Sequence, residues 1–187
     1  FGALELAGHN VALAFATFSF QIVSAIGAAT CVMVGNAVGR SDARDVIDSC
    51  RRGLLFGLLV TSLAAIAFVL FPNGLASLLT NENEVVQATV PLLIVAAAFQ
   101  WFDGAQVIAA GALRGLGEPN YPLWANVFGH YVVGVPVGIG LAWFAGYETT
   151  GLWIGLSAGL AVVSVALAHR LRRTVYLPIE ELRLQSS

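Results

Sequence analysis

Five long apolar segments dominate the sequence and restrict it to a membrane fold. They cover approximately residues 5–38, 53–71, 85–113, 121–145 and 151–169, and about 20 apolar residues are enough for one helix to cross a bilayer. The chain is 58% hydrophobic and 11% charged, whereas soluble domains carry about 25% charged residues. Because lipid offers no partners to open backbone groups, all five segments are expected to be α-helical. The sequence therefore predicts an all-α, polytopic transmembrane bundle embedded in the lipid bilayer.

The residues within, between and after these segments predict a kink, two short helices and a tail. Pro136 lies inside segment four and should kink that helix or mark its thin point. Residues 39–52 contain Ser41, a good N-cap residue, and are expected to form either a short interfacial helix or an unstructured turn. A second short helix is expected at Leu75–Asn81. The transmembrane domain is placed at 1–177, and a loose polar tail at 178–187.

The arginines predict how the chain is oriented. All nine basic residues are arginines, namely Arg40, Arg44, Arg51, Arg52, Arg114, Arg170, Arg172, Arg173 and Arg183. Loops 72–84 and 146–150 contain none. Since five crossings alternate sides, every arginine falls on the same side, which the positive-inside rule assigns to the cytoplasm. The chain is therefore expected to be a multi-pass protein of the plasma membrane with a cytoplasmic C-terminus.

Several function classes find no support in the sequence. No Ser-His-Asp arrangement, HExxH, P-loop or GxGxxG motif suggests an enzyme, and no basic patch interleaved with aromatic residues suggests a nucleic acid partner. Cys31 and Cys50 fit no metal-ligand spacing. Glycines four residues apart, such as Gly111 and Gly115, instead predict helices that pack closely into one bundle.

A single carboxylate, Asp103, lies deep in segment three. An Asp at the centre of a membrane helix costs roughly 2.5–3.5 kcal/mol on insertion scales, so it is retained for a reason. At about 100° per residue, Gln100, Asp103 and Gln106 fall within one arc of about 120° that also contains Phe99. Such a face either bonds neighbouring helices as a structural cluster or lines a cavity that binds an ion or a proton. We favour the cavity.

Two other segments carry polar residues that could face the same cavity. On segment one, Asn10, Thr17, Gln21 and Ser24 share a face within about 60°, which either packs against another helix or lines a water-filled space. On segment four, His130 lies roughly 13 Å from the cytoplasmic end, and Asp103 lies roughly 16 Å from it on segment three, at 1.5 Å per residue. His130 is therefore either a packing residue or a direct partner of Asp103 at similar depth.

Several motifs occur along the chain in order. They read LAGHNVAL at 6–13, VGNAVG at 34–39, LLTNENEV at 78–85, FDGAQVIAAGALRGLGEP at 102–119, GVPVG at 134–138 and GLWIG at 151–155. Together they resemble the multidrug and toxic compound extrusion (MATE) family over essentially the whole chain.

The resemblance implies a fold of twelve helices in two six-helix lobes around a central cavity. This chain would supply helices eight to twelve of the second lobe, and the N-terminal half with the seventh helix would be its missing partner. In the family's sodium-coupled branch an acidic residue of the tenth helix, matched by Asp103, is a cation ligand. Asp103 is thus a possible Na⁺ ligand. Phe99 replaces a tyrosine of that branch, and His130 stands where several members carry tyrosine.

The resulting expectation is part of a secondary antiporter that exports small organic cations or other drugs in exchange for Na⁺ or H⁺. No cofactor is expected besides the coupling ion. Asp103 would couple transport, and the cavity would be lined by Phe99, Gln100, Gln106, Asn10, Thr17, Gln21 and His130. One alternative is a lipid-linked sugar flippase of the same superfamily, which would favour several basic residues in the cavity. Another is a membrane-embedded fragment that transports nothing.

The predicted orientation can be tested by cysteine labelling of intact cells. In a variant with Cys31 and Cys50 replaced by alanine, a cysteine at Asn83 should react with a membrane-impermeant reagent. A cysteine at Gln185 should react only after the cells are permeabilised, because the arginine-rich side faces the cytoplasm. The reverse labelling pattern would contradict both the orientation and the family resemblance.

Overall fold

Six helices make up the described part of the chain, and five of them are long and apolar enough to cross a membrane. The computed structural model describes residues 2–144, 146–178 and 180, without the side chains of residues 148 and 149. The helices are α1 (Ala3–Gly39), α2 (Ala43–Leu70), α3 (Pro72–Ser77), α4 (Asn83–Gly115), α5 (Asn120–Phe144) and α6 (Glu148–Thr174). The predicted all-α bundle with five spans is confirmed. Most of the predicted tail, residues 179 and 181–187, lies outside the described residues.

The connection between α1 and α2 differs from the prediction. There is no separate interfacial helix, because α2 begins at Ala43 and continues without interruption to Leu70. Ser41 does not cap it. Ser41 ends α1 in the left-handed conformation (φ 58°), and Asp42 N–H bonds back to Ala37 O at 3.1 Å, which is a Schellman ending. The cap of α2 is Asp42, whose side chain accepts from Asp45 N–H at 3.0 Å.

The irregularity expected at Pro136 takes the form of wider helical turns. Pro136 has no N–H for the regular i−4 bond, and an α-helix must adjust around such a residue. In α5 the segments Phe128–Gly134 and Gly140–Phe144, on either side of the proline, are π-helical. The expected helix at Leu75–Asn81 is also present, but it begins earlier, at Pro72, and ends at Ser77.

Helices α1 and α4 run parallel and in backbone contact. Thr89 Oγ1 lies 3.4 Å from Gly8 O, and Gln100 Nε2 lies 2.5 Å from Ser19 Oγ. In both contacts the residue on α4 comes 81 positions after the residue on α1, as expected for parallel helices. Gly111 faces the carbonyl group of Gly27 so closely that a Cβ on Gly111 would lie 2.9 Å from that carbonyl carbon. Small residues therefore set the distance between the two central helices.

Two apolar clusters fill the interior, one at each end of the bundle. The cluster at the end that carries the arginines, called the arginine end here, contains Val34, Val38, Val46, Cys50, Ala109, Leu113, Leu116, Val163 and Leu167. The cluster toward the far end contains Ala12, Ala16, Phe68, Leu93, Ala96, Phe99, Trp153 and Leu160. Along α4, the far cluster ends at Phe99 and the arginine-end cluster starts at Ala109. The interval between them holds a buried polar layer of Ser19, Thr61, Gln100, Asp103 and Gln106.

An ion pair fastens α6 to the α4–α5 connection at the arginine end. Arg170 donates to both carboxylate oxygens of Glu118, from Nε at 2.7 Å and from Nη2 at 2.9 Å. Thr174 Oγ1 donates to the same carboxylate at 3.1 Å, and the guanidinium lies 5.4 Å from the centre of the Tyr121 ring. A paired, bidentate geometry of this kind orients both partners.

The contact between Gly27 and Gly111 gives a stability prediction. Gly111→Ala should lower the melting temperature of the purified protein, because the new methyl group meets backbone that cannot rotate away; overpacking typically costs about 1–3 kcal/mol. Gly39→Ala is the matched control, since nothing lies within 4 Å of a Cβ at that position. A melting temperature for Gly111→Ala equal to or above that of Gly39→Ala, measured by thermal denaturation and size-exclusion chromatography, would contradict the proposed packing.

Candidate functional site

A cleft of about 290 Å³ lies at the level of the polar layer, between α1, α4, α5 and α6. Its walls combine apolar and polar side chains: Leu13, Ala16, Thr17, Phe20, Phe99, Asp103, Gln106, Asn126, His130, Leu156 and Leu160. An apolar cleft with a few polar groups that converge in it is the usual form of a small-molecule site. We refer to it as the Asp103 cleft.

Asp103 is the only buried carboxylate among the side chains that the structure describes. It is 7% exposed, and neither an ion pair nor a hydrogen bond connects it to any other described residue. The ion pairs of the described chain lie instead at the arginine end. An unpaired carboxylate in an apolar surrounding attracts a cation or a proton, because either one removes the cost of burying the charge.

The two glutamines beside Asp103 have different surroundings. Gln100 is 1% exposed and donates to Ser19 Oγ on α1, so it holds α1 and α4 together and does not border the cleft. Gln106 does border the cleft. Its Oε1 is the one buried side-chain oxygen or nitrogen without a hydrogen-bond partner in the described part of the chain. The expected polar face of α4 is therefore divided between helix packing and the cleft.

Phe99 borders the cleft and also takes part in ring contacts that the sequence did not indicate. Its ring centre lies 5.6 Å from that of Trp153 on α6. Trp153 Nε1 donates to His9 Nδ1 on α1 at 3.0 Å. These contacts join α1, α4 and α6 on the far side of Asp103. Trp153 was not predicted because a tryptophan near a helix end is equally typical of a membrane interface.

Only part of the polar stripe on α1 reaches the cleft. Thr17 lines it, together with Leu13 and Phe20, whereas Asn10 and Gln21 are exposed on the bundle surface and border no part of it. The three polar residues share a helical face, but they differ in depth by about one to three turns. Helical periodicity gives the face of a residue and not its neighbour across the gap, so it could not separate Thr17 from the other two.

His130 lies on the opposite wall from Asp103. It is half-buried, and its Nδ1 is 3.0 Å from Asn126 O, one turn earlier on α5. Asn126 in turn donates from Nδ2 to Pro122 O at 2.8 Å. No ion pair joins His130 to Asp103. The two residues therefore share one cleft at similar depth, but the alternative of direct pairing is not realised.

Two larger surface cavities offer no uncompensated charge to a ligand. One, of about 510 Å³, is an apolar groove between α2 and α4 that Ile66, Ile94 and Trp101 line with other apolar residues. The other, of about 410 Å³, surrounds the pair of Glu118 and Arg170, whose charges already satisfy each other. The Asp103 cleft alone combines an uncompensated carboxylate with apolar walls among these three.

Comparison with known proteins places these features in a family. The family model described as MatE matches residues 1–139. A probable multidrug resistance protein NorM from Brucella suis is 36% identical over 177 residues, which cover 92% of this chain and 38% of the relative. The multidrug resistance protein NorM of Burkholderia vietnamiensis is 37% identical over 174 residues, covering 90% of this chain and 38% of that protein.

Solved structures show the same fold. A crystal structure of a eukaryotic MATE transporter superposes with a TM-score of 0.84 at 23% identity, covering 98% of this chain and 40% of the other. The Vibrio cholerae MATE transporter VcmN in the bent form gives a TM-score of 0.77 at 21% identity, over 100% of this chain and 41% of the other. The chain thus spans about two fifths of the length of the proteins that it matches. The protein is a multi-pass membrane protein that belongs to the MATE family, whose relatives include multidrug resistance proteins of the NorM type.

Proposed function

We propose that the chain forms part of an antiporter that exports organic cations or other drugs across the plasma membrane in exchange for Na⁺ or H⁺. The observation that carries this proposal is the unpaired, buried carboxylate of Asp103 on the wall of a largely apolar cleft. The names of the relatives, which are multidrug resistance proteins, agree with it. Because the chain spans 38% of such a relative, transport is assigned to the full-length protein.

The coupling step follows from the electrostatics of one group. A low-dielectric surrounding favours the neutral acid, and a cation close by favours the carboxylate. A proton, a metal ion or a cationic drug can each neutralise Asp103, and only one of them can do so at a time. Competition of this kind links the entry of one ligand to the departure of another, which is the requirement for exchange. Asp103 is also the proposed Na⁺ contact of the cleft.

The alternative of a sugar flippase has less support. A lipid-linked sugar carries phosphate groups, and a site for phosphate is normally built with arginine or lysine. The lining of the Asp103 cleft contains a carboxylate and neither of these basic residues.

The orientation in the membrane is also part of our proposal, and the arginine end would face the cytoplasm. Asp103 lies roughly 16 Å along α4 from Arg114 at 1.5 Å per residue. The cleft would therefore lie about halfway across a hydrocarbon core of about 30 Å.

Asp103→Asn tests the coupling role, because it keeps the size of the side chain and removes its charge. In the full-length protein, efflux of a cationic dye should fall by roughly 30-fold or more, since removing the buried charge that pairs with a bound cation costs roughly 2–5 kcal/mol. Expression and membrane insertion should be unchanged or improved. Gln106→Ala should have a smaller effect, because it removes a polar contact and no charge.

The matched control is Gln100→Met, which changes a neighbouring buried amide that does not face the cleft. It should affect thermal stability more than efflux. Near-normal efflux by Asp103→Asn would assign coupling to another part of the transporter and leave Asp103 a structural role.

The 187-residue chain alone should not transport. Alternating access in such carriers moves one bundle against another around a shared site, and this chain supplies one bundle at most. Reconstituted into vesicles, it should give no ion-driven efflux above that of empty vesicles. Efflux that disappears with Asp103→Asn would show instead that copies of the chain assemble a working cavity.

A further inference from the structure

A hydrogen bond between two aromatic side chains joins α1 to α6 at the far end of the bundle. Trp153 Nε1 donates to His9 Nδ1 at 3.0 Å, and the two rings meet edge to face with their centres 5.7 Å apart. No extended backbone contact joins these two helices, whereas each of them packs along α4. The connection between α1 and α6 at this end therefore depends on side chains.

The pair of His9 and Trp153 lies next to the cleft, on its far-end side. Both helices run from the far end to the arginine end, and Leu13 and Leu156, about one turn further along each helix, line the cleft. Phe99 also lines the cleft, and its ring centre lies 5.6 Å from that of Trp153. The joined rings thus close the far end of the space between α1 and α6.

The hydrogen bond requires the imidazole of His9 to be neutral. A neutral imidazole has one donor and one acceptor nitrogen, and Nδ1 accepts from Trp153, so Nε2 carries the hydrogen. A second proton would turn Nδ1 into a donor that points at the indole N–H. Trp153 is 4% exposed, and a buried donor that has lost its acceptor is costly. Proton binding by His9 and closure of the far end therefore exclude each other.

No described acidic side chain forms an ion pair with His9. The other titratable side chains described at this end and in the cleft are Glu5 on α1, Glu82, Glu84 and Asp103 on or beside α4, His130 on α5, and Tyr147 ahead of α6. Glu148 begins α6, and its side chain is not among those described. Of the described groups, His9 is the one that is hydrogen-bonded to Trp153.

We propose that His9 is a proton-binding site separate from Asp103, and that a proton bound there opens the far end of the cleft. The neutral ring holds Trp153 between α1 and α6, and the imidazolium releases it. The bond is therefore present at higher pH and is lost as the pH falls. This inference goes beyond the proposed function, because it concerns access to the cleft and not the ligand that the cleft binds.

The bond itself can be followed through the indole N–H resonance of Trp153. In the full-length protein, isotopically labelled in tryptophan and purified in detergent, this resonance is assigned by its absence from Trp153→Phe. It should move between about pH 8 and pH 5, the range over which histidine changes charge. In His9→Gln the resonance should stay in place, because the amide oxygen still accepts the bond and does not titrate in this range. The matched controls Glu5→Gln, Glu148→Gln and Asp103→Asn should keep the shift.

Opening of the far end can be measured as a distance between spin labels on α1 and α6. The labels are attached to Leu6→Cys, at an exposed position, and Thr150→Cys, at a half-buried one, after the native cysteines are replaced by alanine. The population with the longer distance should rise about fivefold in acid, as expected for the loss of one hydrogen bond. In His9→Gln it should stay low at both pH values, and in Trp153→Phe it should be raised at both.

The two measurements separate the parts of the inference. An indole resonance that moves in His9→Gln as it does in the unsubstituted protein would overturn proton binding at His9. A resonance that moves only when His9 is present, together with label distances that do not change, would overturn the opening. Since His9→Gln retains the bond, its distances remain decisive even where Trp153→Phe is unstable. None of these outcomes involves efflux, so the proposed function is decided separately by Asp103→Asn.

Discussion

The backbone contact between α1 and α4 is the constraint on which the rest of the bundle depends. The carbonyl group of Gly27 lies against Gly111, and a Cβ on Gly115 would lie 2.6 Å from Cys31 O. Lipid provides no hydrophobic force to push helices together, so such close packing must supply the attraction. Since the contact also fixes the register of the two helices, it brings Gln100 to Ser19 and leaves Asp103 and Thr17 on a shared wall. The geometry of the cleft is therefore determined by glycines that never touch it.

The buried polar layer lies between the two apolar clusters. Each apolar cluster is continuous within its own end of the bundle, and the polar residues of α4 fall in the interval between them. Two members of the layer, Ser19 and Thr61, bond back to the carbonyl groups of their own helices. Gln100 is satisfied across the interface by Ser19. Among the described side chains of the layer, Asp103 and Gln106 Oε1 have no hydrogen-bond partner, and both residues border the cleft.

Hydrophobic length was enough to predict five spanning helices, because it reflects the bilayer and not the fold. The same signal could not predict where α2 starts, since the Schellman ending at Ser41 depends on local hydrogen bonds. For the site, periodicity placed Phe99, Asp103 and Gln106 on one face of α4, and all three border the cleft. It did not indicate Leu156 or Leu160, because apolar residues on a membrane helix look alike whether they contact lipid, protein or a cleft. Asn10 and Gln21 share the face of Thr17 but do not border the cleft, because periodicity gives the face of a residue and not its depth.

Helix α5 is attached to the rest of the protein almost entirely through α6. Gly134 and Gly138 lie against the backbone of Gly155, and the pair of Glu118 and Arg170 secures the other end. The cleft accordingly has one wall formed by the tightly packed pair of α1 and α4, and one wall on α5 that reaches this pair through α6. Helix α6 in turn packs on α4, with Trp153 against Phe99. The separation of His130 from Asp103 is therefore set by backbone and ring contacts that neither of these two residues makes.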